Sequence, residues 1–371
     1  MTPKERMLRA YKGRKTDRIP VAPEFWNYIG AKTLGVDMET FEREGLLPMG
    51  LLAAFQKYGT DGWGIAFPLV KWHDRKTTEK TRRLPSGQLE AETVHTWHGK
   101  TFSTVSVFDR KEPSWVKKFL ADEDSVRDAA EMLLSSEAEY DVSGMNEVWK
   151  TVGDSYLCEV WTGTPFFDFI EGIAGFEEAV SFFADEDEKI LQALLEKYTA
   201  SQLRMMDILI EKTPFESYFI GCSSSCNSLI GPHMWRKWDK PYIKAVADHL
   251  HSRGKLLHVH FHGKSIETIE DFAEIGIDCV CPFERGPGGD IDTDEELLRV
   301  RNALAEKTTF NGNIHTVNTL LRGTPEDVRR EVRQLKEVFR GSNRFILGTG
   351  DQVAGDTPEE NIYAMIEEAL K

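Results

Sequence analysis

Residues 255–263 read Lys-Leu-Leu-His-Val-His-Phe-His-Gly. An extended strand rises about 3.3 Å per residue and sends alternate side chains to opposite faces. His258, His260 and His262 therefore share one face, with Val259 and Phe261 on the other. A buried imidazole needs partners for its ring nitrogens, and three in line are hard to satisfy without an ion. A divalent cation at the strand's end meets that need. The alternative is one or two structural histidines near water. Two cysteine pairs also bear on metal chemistry. Cys279 and Cys281 alternate on the next strand and share a face, while Cys222 and Cys226 lack the tight Cys-x-x-Cys spacing of a metal knuckle. All four read as small core residues rather than ligands.

The elements that must position the histidines follow a repeating rhythm: a β-branched or aromatic strand, a polar turn, then an amphipathic helix. Strand ends are expected at Ile19–Trp26, Gly62–Phe67, Tyr156–Thr162, Tyr218–Cys222, Leu256–His262, Cys279–Phe283, Thr309–His315 and Phe345–Thr349. Eight strands alternating with helices imply parallel βαβ units and an α/β fold of the (β/α)8 barrel kind. The periodicity predicts a long helix over Asp185–Lys212. Thr324-Pro325-Glu326-Asp327 and Thr357-Pro358-Glu359-Glu360 both read as helix starts, with a capping threonine, proline in the first turn and acids against the dipole. Residues 84–109 break the rhythm with Pro-Ser-Gly and His-Gly turns between Thr/Val/Phe-rich runs. They are expected to form a β-hairpin insertion within a single 1–371 barrel domain.

Composition narrows the function. The chain has 371 residues, 40% hydrophobic and 11% aromatic, as in a folded enzyme. Its 61 acidic residues against 46 Lys and Arg give a net charge of −15, which disfavours nucleic acid and anionic membranes as partners. The amino terminus carries no apolar signal segment and no uncharged run approaches the roughly 18 residues of a membrane span. Five cysteines form no disulfide framework in a chain this long, so a reducing cytoplasm is the expected location.

Several segments, in order along the chain, resemble the uroporphyrinogen decarboxylase superfamily. They are Asp17-Arg18-Ile19-Pro20-Val21, Gly163-Thr164-Pro165-Phe166 with Glu171-Gly172, Pro241-Tyr242-Ile243-Lys244, and Gly312-Asn313-Ile314 followed by Arg322-Gly323-Thr324-Pro325-Glu326. The resemblance implies a distorted (β/α)8 barrel, in agreement with the strand count. True decarboxylases of this family bind an acidic tetrapyrrole through an Arg-rich segment after the first strand and a later Asp. Here the first segment is Ala22-Pro23-Glu24-Phe25-Trp26-Asn27-Tyr28, with no arginine, and the later one, Gly221–Asn227, has no Asp. Propionates would meet a carboxylate instead of a guanidinium.

The zinc-dependent, corrinoid-linked methyltransferases of the superfamily fit better. Their motif is His-x-Cys-Gly at a strand end, with a second Cys after the last strand, ahead of a Thr-Pro-x-x-Asn-Ile helix. This chain has His260-Phe261-His262-Gly263 at the first place and Gly350-Asp351 before Thr357-Pro358-Glu359-Glu360-Asn361-Ile362 at the second. The resemblance thus implies His260, His262 and Asp351 as ligands of Zn2+, which accepts His nitrogen and carboxylate oxygen as well as thiolate. Glu284 is a candidate fourth ligand or an acceptor for a ligating histidine, with a salt bridge to Arg285 as its structural alternative. His258, one step deeper, would hydrogen-bond a ligand. These two are the catalytic candidates.

Two His and one Asp place less negative charge on zinc than two thiolates do, leaving a harder Lewis acid suited to an oxygen leaving group. The resemblance then implies demethylation of a methoxylated aromatic, with the methyl group passed to cob(I)alamin on a partner corrinoid protein. Asp-x-His-x-x-Gly, the mark of a cobalamin module, is missing here. Glu24, Trp26, Asn27, Trp161, Phe166, Asn227 and His315, near expected strand C-terminal ends, are candidate substrate contacts for a flat ring, although any single aromatic there reads more simply as barrel core and only the set favours a pocket. Transfer from the corrinoid protein to a thiol or other acceptor, a metal-independent decarboxylase acting on a smaller acid, and a silent corrinoid- or tetrapyrrole-binding protein are the competing expectations.

Overall fold

The computed structural model describes residues 1–371, apart from the side chain of Glu123. Seven parallel strands run round a curled sheet in chain order: β1 Trp63–Ala66, β2 Leu157–Trp161, β3 Ser217–Cys222, β4 Leu256–Phe261, β5 Cys279–Pro282, β6 Thr309–Ile314 and β7 Phe345–Thr349. Each falls within one residue, at either end, of a strand expected from the sequence. Apart from Trp161, at the open end of β2, all seven are buried along their whole length, as strands covered by helices outside and side chains inside must be.

The expected first strand, Ile19–Trp26, is not one. It contributes a single parallel bridge, Val21 to Leu347, framed by Ala22 N–H donating to Leu347 O at 2.8 Å and Leu347 N–H donating to Pro20 O at 2.9 Å. Pro20 and Pro23 have no N–H to give, so the segment cannot ladder on both edges. Among the described residues no backbone ladder joins it to β1. A side chain closes that seam instead. Asp61, fully buried just ahead of β1, accepts Val21 N–H at 2.9 Å and Arg18 Nη1 at 2.6 Å, and also pairs with Arg6.

The expected hairpin at 84–109 is the middle of something wider. Lys76–Arg83, Leu89–Trp97, Lys100–Phe108 and Trp115–Lys118 form a four-stranded antiparallel sheet, and Leu69–Trp72 pairs antiparallel with Ala138–Asp141. The outer strand Lys76–Arg83 is exposed at every residue. With no face to bury, it carries no alternation of apolar residues for a sequence reading to find.

Helix starts divide in the same way. Thr324 caps Pro325–Val338 in a reciprocal box with Asp327. Thr357 does not cap: its N–H donates to Ala354 O and the last helix begins at Glu359. The long helix begins at Glu188, capped by Asp187, after a break that ends a separate helix at Asp185. No helix among the described residues is long and apolar enough to cross a membrane.

The barrel interior holds Trp63, Ile65, Leu157, Phe219, Leu256, Cys279, Cys281 and Ile346. The N-terminal helix Pro3–Tyr11 packs against this cluster through Met7, Ala10 and Tyr11, and Thr309 Oγ1 donates to Ala10 O at 2.6 Å. Removing one partner of a buried ion network leaves the others uncompensated. Asp61→Ala removes the carboxylate shared by Arg18 and the seam's N–H and leaves Arg6 with Asp17 alone, so it is expected to cost about 3 kcal/mol, read as a lowered urea midpoint.

Candidate metal centre

β4 ends at Phe261, and Gly263, at φ +71°, turns the chain immediately after His262. Asp351 lies two residues past β7, Glu284 two past β5, and Glu24 three past the Val21 bridge. All therefore come from strand C-terminal ends, the face on which barrels assemble sites. One ligand atom each from His260, His262 and Asp351 falls within 4.8 Å of the others. His260 is buried, while His262 and Asp351 are half-buried, so the cluster has one side toward solvent.

The contacts within it are directional. His260 Nε2 faces His262 Nε2 at 2.6 Å, and His262 Nδ1 faces Glu284 Oε1 at 2.5 Å. Glu284 Oε1 also accepts Gly263 N–H at 3.0 Å. Glu24 Oε2 lies 3.8 Å from His260 Nδ1, and Glu24 is tied to the loop after β7 by its N–H to Thr349 Oγ1 and its carbonyl to Val353 N–H. Phe283 at φ +46° and Trp26 at φ +35° are non-glycine residues in the left-handed region, one beside Glu284 and the other two past Glu24. Such backbone strain persists only where the surroundings over-determine it.

Hydrogen bonds hold the cluster together. Burial works against a charged His262, but the hydrogen bond to Glu284 and the charges of Asp351, Glu284 and Glu24 outweigh it and push this imidazole up to about 9. It then donates through both nitrogens, to Glu284 and to His260. Burial, with repulsion from His262 and His258, holds His260 well below its usual range, so His260 Nε2 keeps its lone pair. Burial and the neighbouring Asp351 charge drive the Glu24 carboxyl far up, and burial raises Asp351. A doubly charged ion suits this place. Two imidazole nitrogens and a carboxylate oxygen are a set that zinc accepts, and binding there would require His262 to give up a proton.

Other sequence candidates fall in different places. His258 is fully buried below the cluster, bonded to Glu159, Tyr11 and Cys281, and its link to His260 passes through the Cys281 sulfur rather than directly. Phe166 is not at a substrate surface: it has no exposure and packs against Phe183, Tyr198 and Trp238, because the helix it begins turns that ring inward. His315 is likewise turned to structure. Its Nδ1 accepts Val317 and Asn318 N–H groups and its Nε2 meets Gly286 O at 2.9 Å, capping the turn after β6. Asn227 donates to Thr268 Oγ1 while its own carbonyl oxygen is without a partner.

Trp161 and Trp26 stay near the rim. Trp161 lies 5.7 Å from both Phe67 and Phe219, over the bare backbone of Gly221, where a Cβ would come within 2.9 Å of its ring. Trp26 lies 5.5 Å from Trp63, whose ring is 6.2 Å from His260. Asn27 opens onto a cavity of about 590 Å³, walled by Phe41, Leu47, Phe67, Phe108 and Met145. Glu159 was not anticipated, although a lone acid inside the apolar strand Leu157–Trp161 is a legible signal, since such residues are rarely buried unpaired.

The family model described as "Uroporphyrinogen decarboxylase (URO-D)" matches residues 159–371, more than half the chain. This chain belongs to the uroporphyrinogen decarboxylase family. Among curated proteins it is 29% identical over 80 residues to a uroporphyrinogen decarboxylase of Vesicomyosocius okutanii, covering 22% of this chain and 23% of that protein. It is 24% identical over 180 residues to the methylcobamide:CoM methyltransferase MtbA of Methanosarcina acetivorans, covering 48% and 49%. The corresponding protein of Methanosarcina mazei matches at 25% over 139 residues, covering 38% and 37%. The chain thus spans half or less of the length of these relatives. Among solved structures, a methyltransferase from Methanosarcina mazei superposes with a TM-score of 0.69 at 16% identity, covering all of this chain and 98% of that one. At that identity the likeness establishes the barrel fold.

Because His262 holds a proton up to about 9, a divalent cation binding here would have to displace it at neutral pH. Zinc affinity is therefore expected to rise roughly tenfold per pH unit between pH 6 and 8 for each proton released. Calorimetry in buffers of different ionisation enthalpy checks this, and a pH-independent affinity would contradict it.

Proposed function

We propose that this protein is a zinc-dependent methyltransferase that removes the methyl group of a small methoxylated aromatic and passes it to cob(I)alamin on a separate corrinoid protein. The observation that carries the reading is the convergence of His260, His262 and Asp351 at the barrel mouth. His260 and His262 would hold the ion through ring nitrogens and Asp351 through a carboxylate oxygen, with Glu284 keeping His262 aimed. Bound zinc supplies Lewis acidity, stabilising negative charge on a departing oxygen.

The chain's own residues do the rest. Asn27 offers a polar contact at the rim, Glu24 stands buried beside His260, and Trp161, Phe67 and Trp26 supply apolar walls for a flat ring. The cavity beside Asn27, lined mainly by apolar side chains, has room for a single substituted arene. The reaction would break the methyl carbon–oxygen bond, with the methyl group passing to cob(I)alamin on the partner protein. The oxygen leaves with the bonding pair and takes a proton from water. Donors without thiolate favour this oxygen chemistry over sulfur.

A second reading has its own support. Two of the relatives are named methylcobamide:CoM methyltransferases, which favours transfer in the other direction, from a corrinoid protein to a thiol. Anaerobic assays separate the two: methoxyarenes with cob(I)alamin for the first, methylcobalamin with thiols for the second.

His260→Ala and Asp351→Ala are expected to lose stoichiometric zinc and to lower methyl transfer by more than the roughly 10–100-fold that changes around a metal's ligands cost. Elemental analysis and the same assays read both effects. Full activity in either variant, or a wild-type protein that binds no zinc, would overturn the proposal.

A further inference from the structure

A line of buried polar side chains runs down the barrel axis beneath the cluster. Ser217 Oγ donates to Glu159 Oε1 at 2.5 Å, and Glu159 Oε2 meets His258 Nδ1 at 2.8 Å. His258 Nε2 lies 3.0 Å from Cys281 Sγ, and the same sulfur lies 3.1 Å from His260 Nδ1. Ser217, Glu159 and His258 have no exposed surface, Cys281 is 2% exposed and His260 7%. The walls around His258 are the rings of Trp63 and Phe219, edge-on at 4.8 and 5.2 Å, so water does not compete for these groups. Register makes the arrangement: β4 and β5 pair in parallel with His260 opposite Cys281 and His258 opposite Cys279.

Hydrogen-bond chemistry gives this line one direction. A carboxylate only accepts, so His258 carries its proton on Nδ1 and presents a bare Nε2. The Tyr11 hydroxyl oxygen, 3.1 Å from the same Nδ1, accepts as well and does not change the assignment. Nε2 then accepts the Cys281 S–H, and the sulfur, its proton spent, accepts from His260 Nδ1–H. His260 is left with its lone pair on Nε2, the nitrogen that faces His262.

We infer that Cys281 is a positioning residue: with Glu159 and His258 beneath it, it locks His260 in the Nδ1–H tautomer, so that Nε2 is ready for a divalent cation. The inference rests on the metal-centre reading for its purpose but not for its geometry. A neutral imidazole in water distributes its proton over both nitrogens, and one held in the wrong tautomer must rearrange before it can ligate. Partners of this kind behind a metal ligand are worth about 10–100-fold in affinity.

The test uses full-length protein labelled with 15N-histidine, with Cys281→Ala, Cys281→Val and Cys281→Ser compared with wild type. Long-range 15N–1H spectra of metal-free protein report the His260 tautomer, and zinc calorimetry reports affinity. Wild type is expected to show one tautomer, protonated at Nδ1. Alanine and valine should give a mixture and weaken zinc by about 10–100-fold. Serine, which both donates and accepts, should restore both readouts. Valine keeps the site filled, so a failure of alanine to fold leaves the comparison intact. A Cys281→Val protein with an unchanged tautomer and zinc affinity within about twofold of wild type would overturn the inference. If wild-type protein binds no zinc, the metal-centre reading fails by itself, and the spectra still decide whether Cys281 sets the tautomer.

Discussion

The parallel register between β4 and β5 is the constraint on which the site depends. It sets His258 beside Cys279 and His260 beside Cys281 on the inner face, while β3 brings Phe219 and Gly221 level with the same two histidines. A shift of one residue would turn every one of these side chains to the helix side. The buried histidines are then paid for locally, by an acid from β2, a serine from β3 and a sulfur from β5. Each polar group in the line finds a partner without recourse to solvent, which is what allows a barrel core to carry them at all.

Above that line the character of the site changes. Protons can be assigned in one direction from Glu159 up to His260, but His262, Glu24, Glu284 and Asp351 form a cluster with three carboxyl groups around one charged imidazole. Burial pushes Glu24 and Asp351 toward neutrality while His262 is held charged. A barrel that needed only stability would be better served by apolar residues here. The arrangement gathers three carboxyl groups and one charged imidazole at the barrel mouth, around the donor set on which the proposed metal site rests.

Family membership and chemistry come from different observations. Residues 159–371 carry the family match and include both histidines, Glu284 and Asp351, whereas Glu24, Trp26 and Asn27 lie outside it. The part of the chain that walls the 590 Å³ cavity, with Phe41, Phe67 and Phe108, also precedes the matched region. Its antiparallel sheet, from Lys76 to Lys118, is inserted between β1 and β2, where it can vary without disturbing the register that holds the centre.

Much of the architecture was legible in the residues alone. Seven strand positions could be read because a barrel strand is buried on both faces and so is rich in β-branched, aromatic and other apolar residues between turn residues. The alternation His-x-His-x-His placed three imidazoles on one side because successive side chains of a strand point to opposite faces. Other features had no local signature. The exposed strand Lys76–Arg83 lacks an apolar face, the Pro20 and Pro23 segment forms one bridge instead of a ladder, Phe166 turns inward through packing that no spacing expresses, and His315 is taken up by hydrogen bonds that cap a turn. The pairing of Glu159 with His258 across 99 residues, and of Cys281 with His260 across 21, exists only once the sheet curls. Strand identity is a property of short-range patterning, but which buried polar groups meet is set by register and closure, and these belong to the folded barrel.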